Sequence, residues 1–307
     1  MAKIEKIKGT KIQESLSDKI LNWIIGIILV LFGIIVAYPC IYVISCSFSS
    51  SAALEMGHVV LWPVDFTLKG YEFVLRYKQV WTGFRNSILY TISDVFIQMT
   101  MTICVAYPIS RRYFGPRKFY TMLFYMSTRV SAGLIPSFIL KCNLGLFDNV
   151  LAVIIAGSVG VGHILIMRTA INTSIPGDLF DAAMIDGANH FQAIFNIVIP
   201  LTKATMSVLT LYCIVGQWNE YATSMIYLRD ARLYPLQLVL RPIMQAATAM
   251  GSFEVAEMDM AYQQQASKSM ENVRYALIII SSAPVIIAYF VVQKHFKGGL
   301  MLGSVKG

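Results

Sequence analysis

From Ile20 through Ser45 this chain carries no charged side chain, and from Tyr275 through Val292 it carries none again. A hydrocarbon core of roughly 30 Å takes about 20 helical residues to cross. Each run is therefore long enough to span a bilayer as one helix. Backbone amides find no water in lipid, so a spanning segment has to satisfy its own hydrogen bonds, and an unbroken apolar run does so as a helix. Composition agrees across the 307 residues: 56% of side chains are hydrophobic and 14% charged, against roughly 25% charged in a soluble domain. The first run far exceeds the about 7–15 apolar residues of a secretory signal, and no small-residue cleavage pattern follows it. It is expected to stay as a helix.

Four further apolar stretches, at about 87–110, 120–140, 150–167 and 204–226, join those at 20–45 and 275–292. Glycine, proline or a single charge interrupts these four, which lipid tolerates only where the polar group faces protein or a water-filled path. The expected fold class is all-α: a polytopic membrane protein with six transmembrane helices. Lys3, Lys6, Lys8, Lys11, Lys19, Arg111, Arg112, Arg117, Lys118, Arg168, Lys203, Lys294, Lys297 and Lys306 fall on one side, which places both termini in the cytoplasm. The divisions that follow are a cytoplasmic tail at 1–19, a first span at 20–46 and an external loop at 47–86. A core at 82–293 and a cytoplasmic tail at 294–307 complete the chain. The net charge of +8 needs no nucleic acid, because juxtamembrane basic residues meet anionic lipid heads. Cys40, Cys46, Cys104 and Cys213 sit in apolar helices and Cys142 just outside the third; with no CxxC and no zinc spacing, they read as buried, inert thiols.

Three ionisable residues fall within the predicted spans: Asp94, Arg129 and Glu220. Charges in lipid cost about 2.5–3.5 kcal/mol on insertion scales and turn toward the bundle interior. At 1.5 Å per residue their depths differ by no more than roughly 10 Å, so they could meet in one cavity, or Asp94 and Arg129 could neutralise each other. Glu220 belongs to Gln217-Trp218-Asn219-Glu220-Tyr221, which joins groups that bond hydroxyls to aromatic faces that stack on a sugar ring. Ser158 and His163, among Gly157, Gly160 and Gly162, complete the candidate substrate path. His163 has no second ligand at helical spacing, so no metal site is expected. Arg129 facing the path would favour an acidic sugar over a neutral one.

The segment between the fourth and fifth stretches is too ordered for a linker. Pro176 suits a helix's first turn, Asp178 and Asp181 its positive end, and Gly187 a left-handed stop. Leu179, Phe180, Ala183 and Met184 can share one face, and Asn189 can cap a second helix whose Phe191, Ile194, Phe195 and Val198 pack back on the bundle. The run Asp181-Ala182-Ala183, then Asp186-Gly187-Ala188, then Ile197, Ile199, Pro200 and Leu201 resembles the EAA loop of ATP-binding-cassette import permeases. Asp181 stands one methylene shorter than the glutamate usual there. Trp62-Pro63, Phe66-Thr67-Leu68, Gly70-Tyr71, Asn86-Ser87, Gly133-Leu134-Ile135-Pro136, Gly145-Leu146, Trp218-Asn219-Glu220 and the tail Gly303 to Gly307 extend the likeness over nearly the whole chain. It is to carbohydrate importers of the maltose-permease type, in their complex-oligosaccharide and lipopolysaccharide-transport-like branch.

The resemblance implies a coupling helix that docks on an ATPase through Asp181, Ala182, Ala183, Asp186 and Gly187. It also implies a second, homologous permease chain in a heterodimer, two ATPase subunits, and a solute-binding protein that delivers an oligosaccharide. ATP and Mg would be bound by the ATPases; no cofactor is expected in this chain. Its nearest approach to a Walker A loop, Gly298 to Gly303, has Ser304 where lysine is required. The alternative is an ion-coupled secondary transporter with Asp94 and Glu220 as coupling carboxylates, although no internal repeat is visible. No HExxH, GxSxG or paired-histidine pattern points to a membrane enzyme.

Overall fold

The computed structural model describes residues 15–130, 132–155, 157, 159–248 and 270–294. Ser158 and residues 249–269 lie outside them, as do residues 1–14 and 295–307, which include Gly298 to Gly303. Every described element is a helix or helical turn. Helix α1 (Leu16–Ser47) opens on a capping box in which the Ser15 amide donates to Asp18 Oδ2 at 3.2 Å. Its apolar side chains, Trp23 and Phe32 among them, stay exposed, and only Ser45, Cys46 and Ser47 are buried. Such a surface is stable only in lipid.

Beyond α1 the chain folds on itself through α2 (Ser51–Glu55) and α3 (Lys69–Arg76). Ser49 Oγ accepts from the Val64 amide at 3.1 Å, Tyr71 donates to Ser47 Oγ at 2.8 Å, and Asn272 of the last helix donates to the Ser49 carbonyl. Helix α4 (Lys78–Ser110) starts well before the predicted 87. Its Ser87, Thr91, Asp94, Gln98 and Thr102 form one buried polar stripe, while Ile88, Ile92 and Phe96 lie exposed on another face. A stripe at steps of three and four residues keeps polar groups out of lipid and turns them to neighbouring helices.

The third, fourth and fifth predicted spans are not continuous. Residues 120–140 divide into α5 (Arg117–Ser127) and α6 (Leu134–Asn143), with Gly133 at φ 80° before α6. Residues 150–167 divide into α7 (Val150–Ile155) and α8 (Val161–Ser174), where Gly157 and Gly160 flank the break. After α9 (Gly177–Ile185) come α10 (His190–Ala193), a π turn at Ile194–Val198 and α11 (Ile199–Leu201). An 85° bend then leads into α12 (Lys203–Trp218). Thr202 is buried at that bend and donates to the Val198 carbonyl at 2.6 Å. Helices α13 (Ala222–Tyr227), α14 (Leu236–Thr248) and α15 (Met270–Gln293) follow. Among the described residues three helices are long and apolar enough to cross a membrane alone, and a fourth crossing results if the bent pair counts as one.

The main core joins Ile103 and Ala106 of α4, Ile164, Met167 and Ile171 of α8, Leu209 and Cys213 of α12, and Phe180 of α9. Cys46 and Cys213 are buried as expected, but Cys40 and Cys104 are exposed and Cys142 is half-buried. In an apolar helix a small thiol is as compatible with lipid as with a core, so its position in the sequence did not fix its facing.

Candidate functional site

Asp94 and Gln98 lie one turn apart on the buried face of α4, and Cys213, Gly216 and Gln217 lie near the end of α12 with Glu220 just beyond it. With His163 and Tyr212 they enclose a polar cavity of about 280 Å³. Gln98 is its hub. The amide nitrogen donates to the Gly157 carbonyl at 2.5 Å, so the amide oxygen faces the other way. That oxygen accepts from the Cys213 thiol and lies 2.9 Å from His163 Nδ1, which must then carry a proton. The imidazole stacks on Tyr212 with ring centres 6.5 Å apart. Gly160 allows this approach, because a Cβ there would meet His163 Nδ1 at 2.7 Å.

Asp94 is 2% exposed and lies beside Gly157, whose added Cβ would stand 4.0 Å from its Oδ1. Glu220 Oε1 accepts from the Thr223 amide in the first turn of α13 at 2.6 Å. Two carboxylates, two carboxamides, an imidazole and a phenol can bond and stack on a polyol ring. Among the described residues no group of three or more His, Cys, Asp or Glu could hold a metal ion. Gln98 and Tyr212 were missing from the sequence-derived set. The available signal was the i, i+4 step from Asp94 to Gln98 inside an apolar helix.

At the other end of α4 and α8, Phe180 is the buried anchor of α9, with Ala183 half-buried. The Arg111 guanidinium lies 3.4 Å above the Phe180 ring and 5.5 Å from that of Tyr107, and Tyr107 Oη stands 3.1 Å from His190 Nδ1. Burial pushes the Arg111 pKa down, while Tyr107 and the Asp181 carboxylate push it up; a guanidinium remains charged at neutral pH. Asp181 therefore acts on a cation at the end of α4. Gly187 ends the turn at φ 81°, the left-handed stop expected, and Asn189 caps α10 by accepting from the Gln192 amide at 2.8 Å. Pro176 precedes α9 as its N-cap rather than standing in its first turn. Leu179 and Met184 are exposed instead of sharing the Phe180 face, as are Phe191 and Phe195; Val198 packs inward.

Residues 80–300 match the family described as the binding-protein-dependent transport system inner membrane component. The chain belongs to this family. As an inner-membrane permease it is a multi-pass translocation subunit and not an enzyme, and ATP hydrolysis belongs to a separate subunit. It is 29% identical to the polygalacturonan/rhamnogalacturonan transport system permease protein YtcP of Bacillus subtilis, over 95% of this chain and 100% of that one. It is likewise 29% identical to protein LplC of the same organism, over 90% and 91% of the two chains. A chain in the crystal structure of a bacterial ABC transporter involved in import of the acidic polysaccharide alginate superposes with a TM-score of 0.80 at 33% identity. That match covers 92% of this chain and 99% of the other.

Within the permease the predicted path residues separate. Asp94, His163 and Glu220 share the polar cavity, whereas Arg129 does not line it. The Arg129 guanidinium is exposed at the end of α5, donates to Tyr125 Oη at 3.2 Å and lies 5.4 Å from that ring. It does not neutralise Asp94; a neighbour one turn away holds it instead. Trp218 is 4% exposed, packs edge-on to Phe84 and donates to the Ser281 carbonyl at 2.8 Å, so its ring is core and offers no face to a sugar. Asn219 turns back to the Val215 carbonyl at 3.0 Å.

Proposed function

We propose that this permease forms the path of an ATP-binding-cassette importer for an oligosaccharide. In this reading a solute-binding protein delivers the sugar outside, a second homologous permease completes a heterodimer, and two ATPase subunits bind ATP and Mg. The chain crosses the membrane six times with both termini cytoplasmic, each broken pair counting as one crossing. The core transport unit occupies 82–293. The relatives support the substrate class, since one is named for polygalacturonan/rhamnogalacturonan transport and another is titled for import of the acidic polysaccharide alginate. Asp94, His163 and Glu220, with Gln98, contribute to the sugar path, and Ser158 borders it in sequence.

The observation that carries the reading is the construction of the α9 elbow. Phe180 is locked inward under Arg111 and the exposed Asp181 borders the Arg111 side, while Ala182 and Asp186 remain on the outside with Leu179 and with Ile185, which is 85% exposed. An apolar residue left so exposed beyond the membrane calls for a protein partner. ATPase closure would push on α9 and reach α4 through Phe180 and α12 through the bend at Thr202. ATP-dependent uptake of labelled oligosaccharides by the reconstituted complex tests this, comparing the intact chain with Gly187→Pro. Proline cannot adopt φ 81°, so the turn is lost. The expected result is an assembled complex that hydrolyses ATP but does not transport. Uptake that follows an ion gradient without ATP would instead establish the secondary-carrier alternative.

A further inference from the structure

Above the Phe180 anchor lies a cavity of about 760 Å³ whose rim carries Arg111, Arg112, Arg117 and Arg168. These come from three elements: the end of α4, the start of α5 and the middle of α8. Among the described residues none of the four forms an ion pair; the two pairs found are Arg76–Glu72 and Arg232–Asp230. Asp178 and Asp181 are the carboxylates lining the same space, so the arginines outnumber them by two. Arg111 is committed to Phe180, and Arg168 spends one N–H on the Ile109 carbonyl at 3.3 Å. The remaining guanidinium donors of Arg112, Arg117 and Arg168 are available for an anion, and the arginine fork fits phosphate oxygens two at a time.

The cavity is not only basic. It reaches from Arg112 up to Cys104, about 12 Å along α4 at helical rise, and there meets a second, apolar groove of about 910 Å³. Cys104, Phe191 and Ile194 line both. The groove continues along the exposed face of α4 past Thr100, Phe96 and Ile92 to Ile88, about 24 Å from Cys104. Phe191 and Phe195, which the sequence pattern directed at the bundle, form its opposite wall. An excess of cationic forks at one end of a long apolar channel matches a molecule with a phosphate head and a hydrocarbon tail. Free phosphate would leave the channel without purpose.

We propose that this amphipathic cleft binds one anionic glycerophospholipid of the cytoplasmic leaflet, with its phosphate among Arg112, Arg117 and Arg168 and an acyl chain in the groove along α4. Basic pockets between spanning helices on that side suit anionic heads. The lipid would tie α4, α5 and α8 together around the buried side of α9. Only the naming of the leaflet rests on the orientation proposed above. The site itself stands or fails separately from sugar uptake.

Cys104 reports on the site without any mutation, since it is exposed and lies where the two cavities join. The assembled transporter is placed in nanodiscs of phosphatidylcholine alone or mixed with phosphatidylglycerol, and maleimide labelling of Cys104 is timed against that of Cys40 on α1. Phosphatidylglycerol should slow Cys104 by about tenfold, the scale of one charge-assisted hydrogen bond, and leave Cys40 unchanged. Arg112→Gln/Arg117→Gln/Arg168→Gln should restore the phosphatidylcholine rate. Should the triple variant fail to assemble, Arg112→Gln alone, at an exposed residue, should lose a measurable part of the protection. Equal rates in both lipids, or protection unaffected by the arginine variants, would overturn the proposal. So would protection by inorganic phosphate alone, or a Cys104 closed in both lipids because the second permease chain covers the groove.

Discussion

Gln98 shows how much one side chain can organise inside a membrane bundle. Its carboxamide satisfies Gly157, His163 and Cys213 together, and in a medium without water each lost partner leaves a polar group exposed to hydrocarbon. Gln98→Leu should therefore lower the stability of the purified complex by about 1–3 kcal/mol, read as a fall in midpoint in detergent unfolding, and reduce uptake as well. Arg111 acts differently, by the face of its guanidinium. Arg111→Lys keeps the charge but loses the flat contact with Phe180, worth about 0.5–2 kcal/mol. ATPase activity should persist in that variant while sugar moved per ATP falls; an unchanged ratio would remove Arg111 from the coupling route.

At the scale of elements, the helices differ in what holds them. Helix α1 buries almost nothing of its own length, whereas α3 is pressed so closely on α15 that a Cβ at Gly70 would fall 1.8 Å from Asn272 Oδ1. Both atoms cannot occupy that space, so Gly70→Ala has to displace α3 or turn the Asn272 side chain from Ser49. The expected cost is about 1–3 kcal/mol, the usual range for overpacking, measured as a lower melting temperature with the α1 end of the chain newly open to protease. The elbow was the most legible element. Gly187 and Asn189 lie where their backbone chemistry put them, because a left-handed stop and a side-chain cap are local events. The outward turn of Phe191 and Phe195 was not legible, since an apolar residue is at home in either core or lipid.

For the whole molecule, the helix breaks between α5 and α6 and between α7 and α8, with the bend at Thr202, set the architecture apart from a simple bundle of continuous helices. Breaks in lipid persist where they line protein or a polar path, and the α7–α8 break contributes Gly157 to the Asp94 cavity. If the carboxylates there bind hydroxyls rather than coupling ions, collapsing the proton and sodium gradients should leave ATP-driven uptake unchanged in reconstituted vesicles. Asp94→Asn should then alter sugar selectivity or affinity rather than ion dependence.

The sequence by itself determined the membrane setting, the two uninterrupted apolar helices, the elbow with its glycine stop and asparagine cap, and the family to which the chain belongs. Each of these rests on neighbours along the chain or on length against bilayer thickness. Only the tertiary structure decided that Asp94 meets His163 and Glu220 but not Arg129, that Trp218 is core, and that arginines from three elements border one cleft. Depth along a helix follows from residue count. Facing does not, when apolar side chains surround the whole circumference and lipid accepts any of them; it is fixed by the helix that packs alongside.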